Sequence, residues 1–147
     1  MTLSDKGEKF LHQEEGFRLK AYRDSKGVPT IAFGNTFYED GSPVKMGDTI
    51  TKERAISLFQ NIKGKFEDAL NKAVKKPLTQ NQFDALLSFI YNIGIAAFNR
   101  STVLKLVNKD PNDPSIGDAL RMWKNSGGKP VLLGRRNREW ELYKSKE

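Results

Sequence analysis

Between Ala55 and Ala73 the apolar residues Ala55, Leu58, Phe59, Ile62, Phe66, Ala69, Leu70 and Ala73 recur at three- and four-residue steps. That spacing predicts a helix with one buried stripe. Thr51 is its N-cap and "KKP" stops it, because the residue before a proline is pushed out of helical geometry. A helix of about 24 residues spans some 36 Å at 1.5 Å per residue. It is long enough to connect two lobes, so the segments before and after it are to be read separately.

Before it, Ser4 reads as the N-cap of a first helix over residues 5 to about 15, with Phe10 and Leu11 starting its apolar face and Gly16 ending it. From Phe17 to about Val44 the period falls toward two, with turn chemistry at "DSKG" and "EDGSP". Two or three short antiparallel strands are expected there. After the long helix, Thr79 and Gln82 form a capping box, and Leu78 with Phe83 a hydrophobic staple, for a helix that turns Phe83, Leu86, Leu87 and Ile90 inward. "TVLKLV", "PSIGDALRMW" and "RRNREWELYK" are further helices, separated by the loops "KDPNDP" and "KNSGGKP". The chain is thus expected to be α+β. One domain of 147 residues would hold a β lobe over about 16–50 and a helical lobe over about 51–147, with the helix at 4–15 packed on the latter. A chain of that size can bury more than half of its extended surface.

Several kinds of chemistry are excluded. There is no cysteine, hence no disulfide and no thiolate metal site, and a single histidine, His12, argues against a histidine metal centre or a Ser/His pair. His12 reads as structural or exposed. The opening residues lack the apolar run of an export signal and no stretch approaches the roughly 20 apolar residues of a membrane span. The formal charge is +7, and from Arg121 onward eight Lys or Arg face three Glu. Such a surface suits a polyanion.

The stretch "EEGFRLKAYRDSKGVPTIAFGNT" carries the candidate chemistry. Glu15 lies four residues after Leu11 in the last helical turn, so burial and the negative end of the helix dipole should both raise its pKa. A protonated carboxyl near neutral pH is the general acid that cleavage of a glycosidic bond requires. Asp24, at the first turn, should remain ionised. Thr30, on the second strand, offers a hydroxyl that could hold a water. Together they are the parts of a glycoside hydrolase site. Spacing alone leaves the plainer alternatives open: an ordinary turn aspartate, a solvated helix end at Glu14 and Glu15, and a common strand threonine.

The same stretch resembles the phage-type lysozymes, or endolysins, whose pattern is Glu-Gly-x-Arg-Leu-x-x-Tyr-x-Asp followed after a gap by Thr-Ile-Gly-x-Gly-His. Glu15, Gly16, Arg18, Leu19, Tyr22, Asp24, Thr30, Ile31 and Gly34 fall at the matching spacings. "ITKERAISLF" resembles the start of that family's long interlobe helix, "FDALLSFIYNIGIAAFNRSTVLKLVN" its central helices and "GRRNREWELY" its terminal arginine-rich helix. The chain departs from the pattern at Ala32, in place of the first glycine of Gly-x-Gly, and at Asn35, in place of the histidine.

The resemblance implies a lysozyme-like fold, a small N-terminal β lobe joined by a long helix to a helical C-terminal lobe. It implies hydrolysis of the β-1,4 bond between N-acetylmuramic acid and N-acetylglucosamine in peptidoglycan, by inversion, with Glu15 as general acid and Asp24 and Thr30 orienting the attacking water. Arg135, which matches a family arginine lying against the acid, together with Asn92, Phe33 and Asn35, is expected to bind substrate or support the site. Arg136 and Arg138 read as surface residues around a buried Trp140; Trp123 and Phe98 read as core. No metal or cofactor is expected, nor any nucleic acid or stable membrane association. The expectation is a monomer that waits in a host cytoplasm until a separate holin-like lesion opens the membrane. The rival from another class is a non-catalytic basic module binding cell wall or nucleic acid with a steep salt dependence; a lytic transglycosylase would need the acid but not Asp24 and Thr30.

Overall fold

Ser4 caps the first helix as the sequence suggests: its hydroxyl oxygen accepts the Gly7 backbone N–H at 3.0 Å. The computed structural model describes residues 1–24 and 26–146, so Ser25 of the "DSKG" turn lies outside the described residues. Among these the order is α1 (Asp5–Glu15), β1 (Arg18–Arg23), β2 (Pro29–Ala32), α2 (Lys52–Ala73), α3 (Gln80–Ile93), α4 (Ile95–Asn99), α5 (Thr102–Lys109), α6 (Ser115–Arg121) and α7 (Leu133–Lys144). The chain forms two compact units, one over Leu11–Gly64 and the other from Met1–Phe10 with the residues from Lys65 on. Both α1 and α2 begin in one unit and end in the other.

The first of these units is built on a short antiparallel pair. In β1 and β2, Arg23 lies opposite Pro29, Tyr22 opposite Thr30 and Arg18 opposite Ala32. Four steps along β1 therefore match two along β2, and the extra residues bulge toward another partner. Ala21 donates its N–H to Asp48 O, Ile50 donates to Leu19 O, and Lys20 bridges Thr49. The expected two or three strands are two, with residues 48–50 as an irregular third edge. Asp48 also ties down the loop that brings it there: Oδ2 accepts the Tyr38 hydroxyl at 2.7 Å and the Lys45 N–H at 2.9 Å. These bonds hold its carboxyl below the usual range, the Tyr38 hydroxyl first, and push the Tyr38 phenol up to about 12, with its desolvation as the leading cause. The core here is Leu11, Ile31, Ala55, Leu58 and Phe59, all fully buried. Thr51 caps α2 through its hydroxyl, which accepts the Arg54 N–H at 3.1 Å.

In the other unit α3 is enclosed: Asn81 through Ile90 are all buried. Thr79 and Gln82 form the capping box at its start, and Gly94, with φ of 94°, ends it. The sequence pattern predicts no separate helix just after "YNIG", yet Gly94 turns the chain directly into the single turn of α4. α7 packs on α3, α6 packs on α7, and α5 packs on α6. Leu86, Leu87, Phe89, Ile90, Phe98, Val103, Val107 and Ile116 are fully buried, each contributing roughly 1.5–3 kcal/mol relative to an exposed position. Polar contacts fix the start of the chain to this core: the Ser4 hydroxyl donates to Asp84 Oδ2, and Ser4 N and Gln80 Nε2 donate to Asp84 Oδ1. Gly7 permits this approach, because a Cβ there would overlap the Asp84 carboxyl group.

The C-terminal helix corrects the sequence reading. Arg136, expected at the surface, is fully buried, while Trp140, expected as the anchor, is only half-buried. A buried guanidinium is tolerable only with acceptors and counter-charge around it. Glu139 Oε1 lies 2.9 Å from Arg136 Nε, Asn92 Oδ1 accepts from Nη2 at 2.7 Å, and the Phe89 ring lies 5.0 Å from the guanidinium carbon.

Candidate active site

Glu15, Asp24 and Thr30 all belong to the unit spanning Leu11–Gly64. Glu15 is the last residue of α1 and is half-buried. Gly16 comes next at φ of 73° and closes the helix through its N–H to His12 O at 2.9 Å. That left-handed conformation is one glycine adopts without the Cβ penalty, and it sends the chain directly into β1.

Asp24 lies just past β1 and organises the turn to β2. Its Oδ1 accepts the Lys26 and Val28 N–H groups, each at 2.9 Å. Asp24 and Val28 also pair through the backbone, Asp24 N donating to Val28 O at 3.0 Å. Oδ2 takes no part in these bonds. Among the described residues, Oδ1 is thus the oxygen that positions the carboxylate.

Thr30 is 3% exposed. Its hydroxyl donates to Val28 O at 2.8 Å. With that hydrogen committed, Oγ1 can only accept, so a water bound there must point one of its own hydrogens at it. The Val28 carbonyl thus fixes the hydroxyl in the state that a water-holding role requires.

In the sequence Tyr22 is only one element of the motif, but the geometry brings it to the same place. It is the register partner of Thr30, and directly opposed residues of an antiparallel pair project on the same face with Cβ atoms about 4.5–5.5 Å apart. The Arg18 guanidinium carbon lies 4.9 Å from the centre of its ring. Burial pushes its phenol pKa up; the charges of Glu15 and Asp24 add to that and Arg18 opposes it. Two carboxylates at different points of the chain therefore act on the hydroxyl of the residue that pairs with Thr30.

The residues expected to support the site divide between the units. Phe33 is 6% exposed. Its ring stacks on His12 at 4.0 Å and lies 5.0 Å from Phe17 and 5.6 Å from Phe59. Asn35 pairs with Ile31 through two backbone bonds of 2.9 Å, and its Oδ1 accepts the Phe33 N–H at 3.3 Å. Both residues shape the loop after Thr30. Ala32, the last residue of β2, has φ of 59° and is fully buried; the left-handed position that a family glycine would fill is held here by a residue with a side chain.

In the helical unit Arg135 is buried: Nε donates to Glu139 Oε2 at 3.1 Å, and Nη2 to Ser88 O at 3.0 Å. The Ser88 hydroxyl donates to the same Glu139 oxygen at 2.6 Å. Asn92 spends its Oδ1 on Arg136. Sequence reasoning misses Glu139, the shared counter-charge of two arginines, although its i+4 and i+3 spacing from Arg135 and Arg136 is an available signal.

Comparison with known proteins matches nearly the whole length of the chain. The family model described as phage lysozyme matches residues 12–139. An endolysin of Salmonella phage P22 is 47% identical over 146 residues, covering 99% of each chain. Among solved structures, an endolysin from Escherichia coli O157:H7 phage FAHEc1 superposes with a TM-score of 0.86 at 43% identity, over 98% of this chain and 94% of that one. The muramidase domain of SpmX from Asticaccaulis excentricus gives 0.82 at 33%, over 99% of both. With its fold and nearly its full length matched in this way, the chain belongs to the phage lysozyme family.

Proposed function

We propose that this lysozyme is an endolysin that hydrolyses the β-1,4 bond between N-acetylmuramic acid and N-acetylglucosamine in peptidoglycan, for lysis of the host. Glu15 is the general acid on the leaving oxygen; Asp24 is the base that takes a proton from the attacking water; Thr30 holds that water. The observation that carries this reading is the commitment of the Thr30 hydrogen to Val28 O, beside a turn in which the described residues Lys26 and Val28 fix Asp24 through Oδ1. A threonine nucleophile would need an adjacent base to take its proton; here the proton is tied to a carbonyl. Water attack on the face opposite the acid inverts the anomeric centre.

Arg135, Asn92, Phe33 and Asn35 support the site rather than perform the chemistry, and the 147 residues work as one domain, as a monomer, without metal or cofactor. The finer cellular reading is a chain held in the host cytoplasm until a separate holin-like lesion admits it to the wall; co-expression with and without a holin tests that part through the timing of lysis.

The decisive experiment is product analysis on purified peptidoglycan. The reaction is expected to release a reducing N-acetylmuramic acid end, first seen by NMR as the α anomer. An initial β anomer would reject inversion, a 1,6-anhydro end would indicate a lytic transglycosylase, and salt-sensitive binding without any sugar release would favour the non-catalytic module.

A further inference from the structure

An attacking water has two hydrogens and two lone-pair directions. In the proposed mechanism one hydrogen goes to Asp24 and the other points at Thr30 Oγ1, which can only accept. One lone pair attacks the anomeric carbon. The second is open to a donor that would orient the water, and neither Asp24 nor Thr30 can be one.

We propose that the Tyr22 hydroxyl is that donor, a fourth catalytic group that binds the attacking water together with Asp24 and Thr30. Tyr22 is opposite Thr30 in the β1–β2 register, so both side chains stand on one face. Arg18 covers its ring at 4.9 Å and restricts its orientation. Among the described residues its hydroxyl has no hydrogen-bond partner in the protein, although the side chain is half-buried. A phenol with no protein partner among the described residues, on the residue that pairs with an acceptor-only threonine, is suited to a bound water. Because burial and the nearby carboxylates raise its pKa, the group keeps its proton and acts as a donor, never as a base.

The step balances without a further reactant. The water oxygen bonds to the anomeric carbon as the bond to the leaving oxygen breaks, Glu15 gives its proton to that oxygen, and Asp24 takes a proton from the water. Tyr22 keeps its own proton throughout and orients the nucleophile.

This inference rests on the hydrolase reading, and the test separates the two. Tyr22→Phe keeps the ring and removes only the hydroxyl. On soluble glycan strands from peptidoglycan it is expected to lower kcat about 10- to 100-fold, the scale of one transition-state hydrogen bond, with KM within about two-fold and an unchanged far-UV circular dichroism spectrum. In a Thr30→Ala background the same change should cost less than about three-fold more, because both groups hold one water and such effects do not multiply. A Tyr22→Phe enzyme with wild-type kcat, a loss confined to KM, or full multiplication of the two losses would overturn the proposal. Asp24→Asn is the control: if it is inactive while Tyr22→Phe is unaffected, only this inference falls, whereas a fully active Asp24→Asn removes the hydrolytic mechanism beneath it as well.

Discussion

The Thr30 hydroxyl donates to the carbonyl oxygen of Val28, two residues earlier, at 2.8 Å. Loss of the side-chain oxygen removes the acceptor for the water; loss of the methyl group alone does not. Thr30→Ser should therefore stay within about ten-fold of the wild-type clearing rate, while Thr30→Val, similar in volume but with no oxygen, should lose at least about 10²-fold, the lower range for losing a positioned catalytic group. Rates of turbidity loss with purified walls check this. Equal losses in the two variants would mean that the residue acts by packing, as its 3% exposure would also allow.

Glu15 ends α1 against Gly16 and has no surrogate in the proposed mechanism. Glu15→Gln keeps the shape and removes the proton donor, so clearing should fall about 10²- to 10⁴-fold with thermal unfolding still cooperative. Near-normal clearing would move the acid elsewhere, with Glu14 the first residue to examine.

Glu139 accepts from Arg135 and Ser88 and lies against Arg136, yet burial pushes its carboxyl pKa up, outweighing the pull of Arg136 and then Arg135. A carboxyl raised in the folded state contributes stability that is fully present below its unfolded pKa and is lost as pH rises through the folded value. Glu139→Gln, neutral at every pH, should abolish that part of the pH dependence and be near-neutral at pH 7 when compared by urea unfolding between pH 4 and 8. A loss of about 3–5 kcal/mol at pH 7, typical of breaking a buried ion pair, would show that the arginines outweigh desolvation.

The features legible in the sequence are those that depend on neighbours within a few residues. The caps at Ser4 and Thr51 and the box at Thr79 and Gln82 are local hydrogen-bond patterns, and each forms where expected. The depth of Arg136 is hidden because its environment is assembled from α3: Asn92 and Phe89 lie more than forty positions away along the chain. The weak third edge of the sheet is hidden likewise, since Leu19 to Ala21 pair with residues 48–50 across a long loop. Glu15, Asp24 and Thr30 can be singled out by a family pattern, but spacing alone gives no hint that Val28 fixes the threonine proton. Tyr22 stands in the same pattern, and only its register with Thr30 gives it a role.

Ala32 stands where the family pattern has glycine, fully buried with φ of 59°, immediately after Ile31, which pairs with Asn35. A side chain in the left-handed region costs roughly 1–2 kcal/mol. Replacing it by glycine relieves that strain but gives up about 0.8 kcal/mol of methyl burial and increases the backbone entropy lost on folding by roughly 0.5–1 kcal/mol. These contributions nearly cancel, so Ala32→Gly should change stability by less than about 1 kcal/mol in urea unfolding. Ala32→Val should be far worse, because a β-branched side chain is an outlier at positive φ and two added methyl groups have no free space in a closely packed interior; a loss above about 2 kcal/mol is expected from strain and overpacking together. As Ala32 is two residues from Thr30, the valine variant that remains folded at low temperature should also clear walls more slowly than its folded fraction accounts for. A valine variant as stable and active as the wild type would mean that the loop can relax to ordinary backbone geometry without moving Thr30.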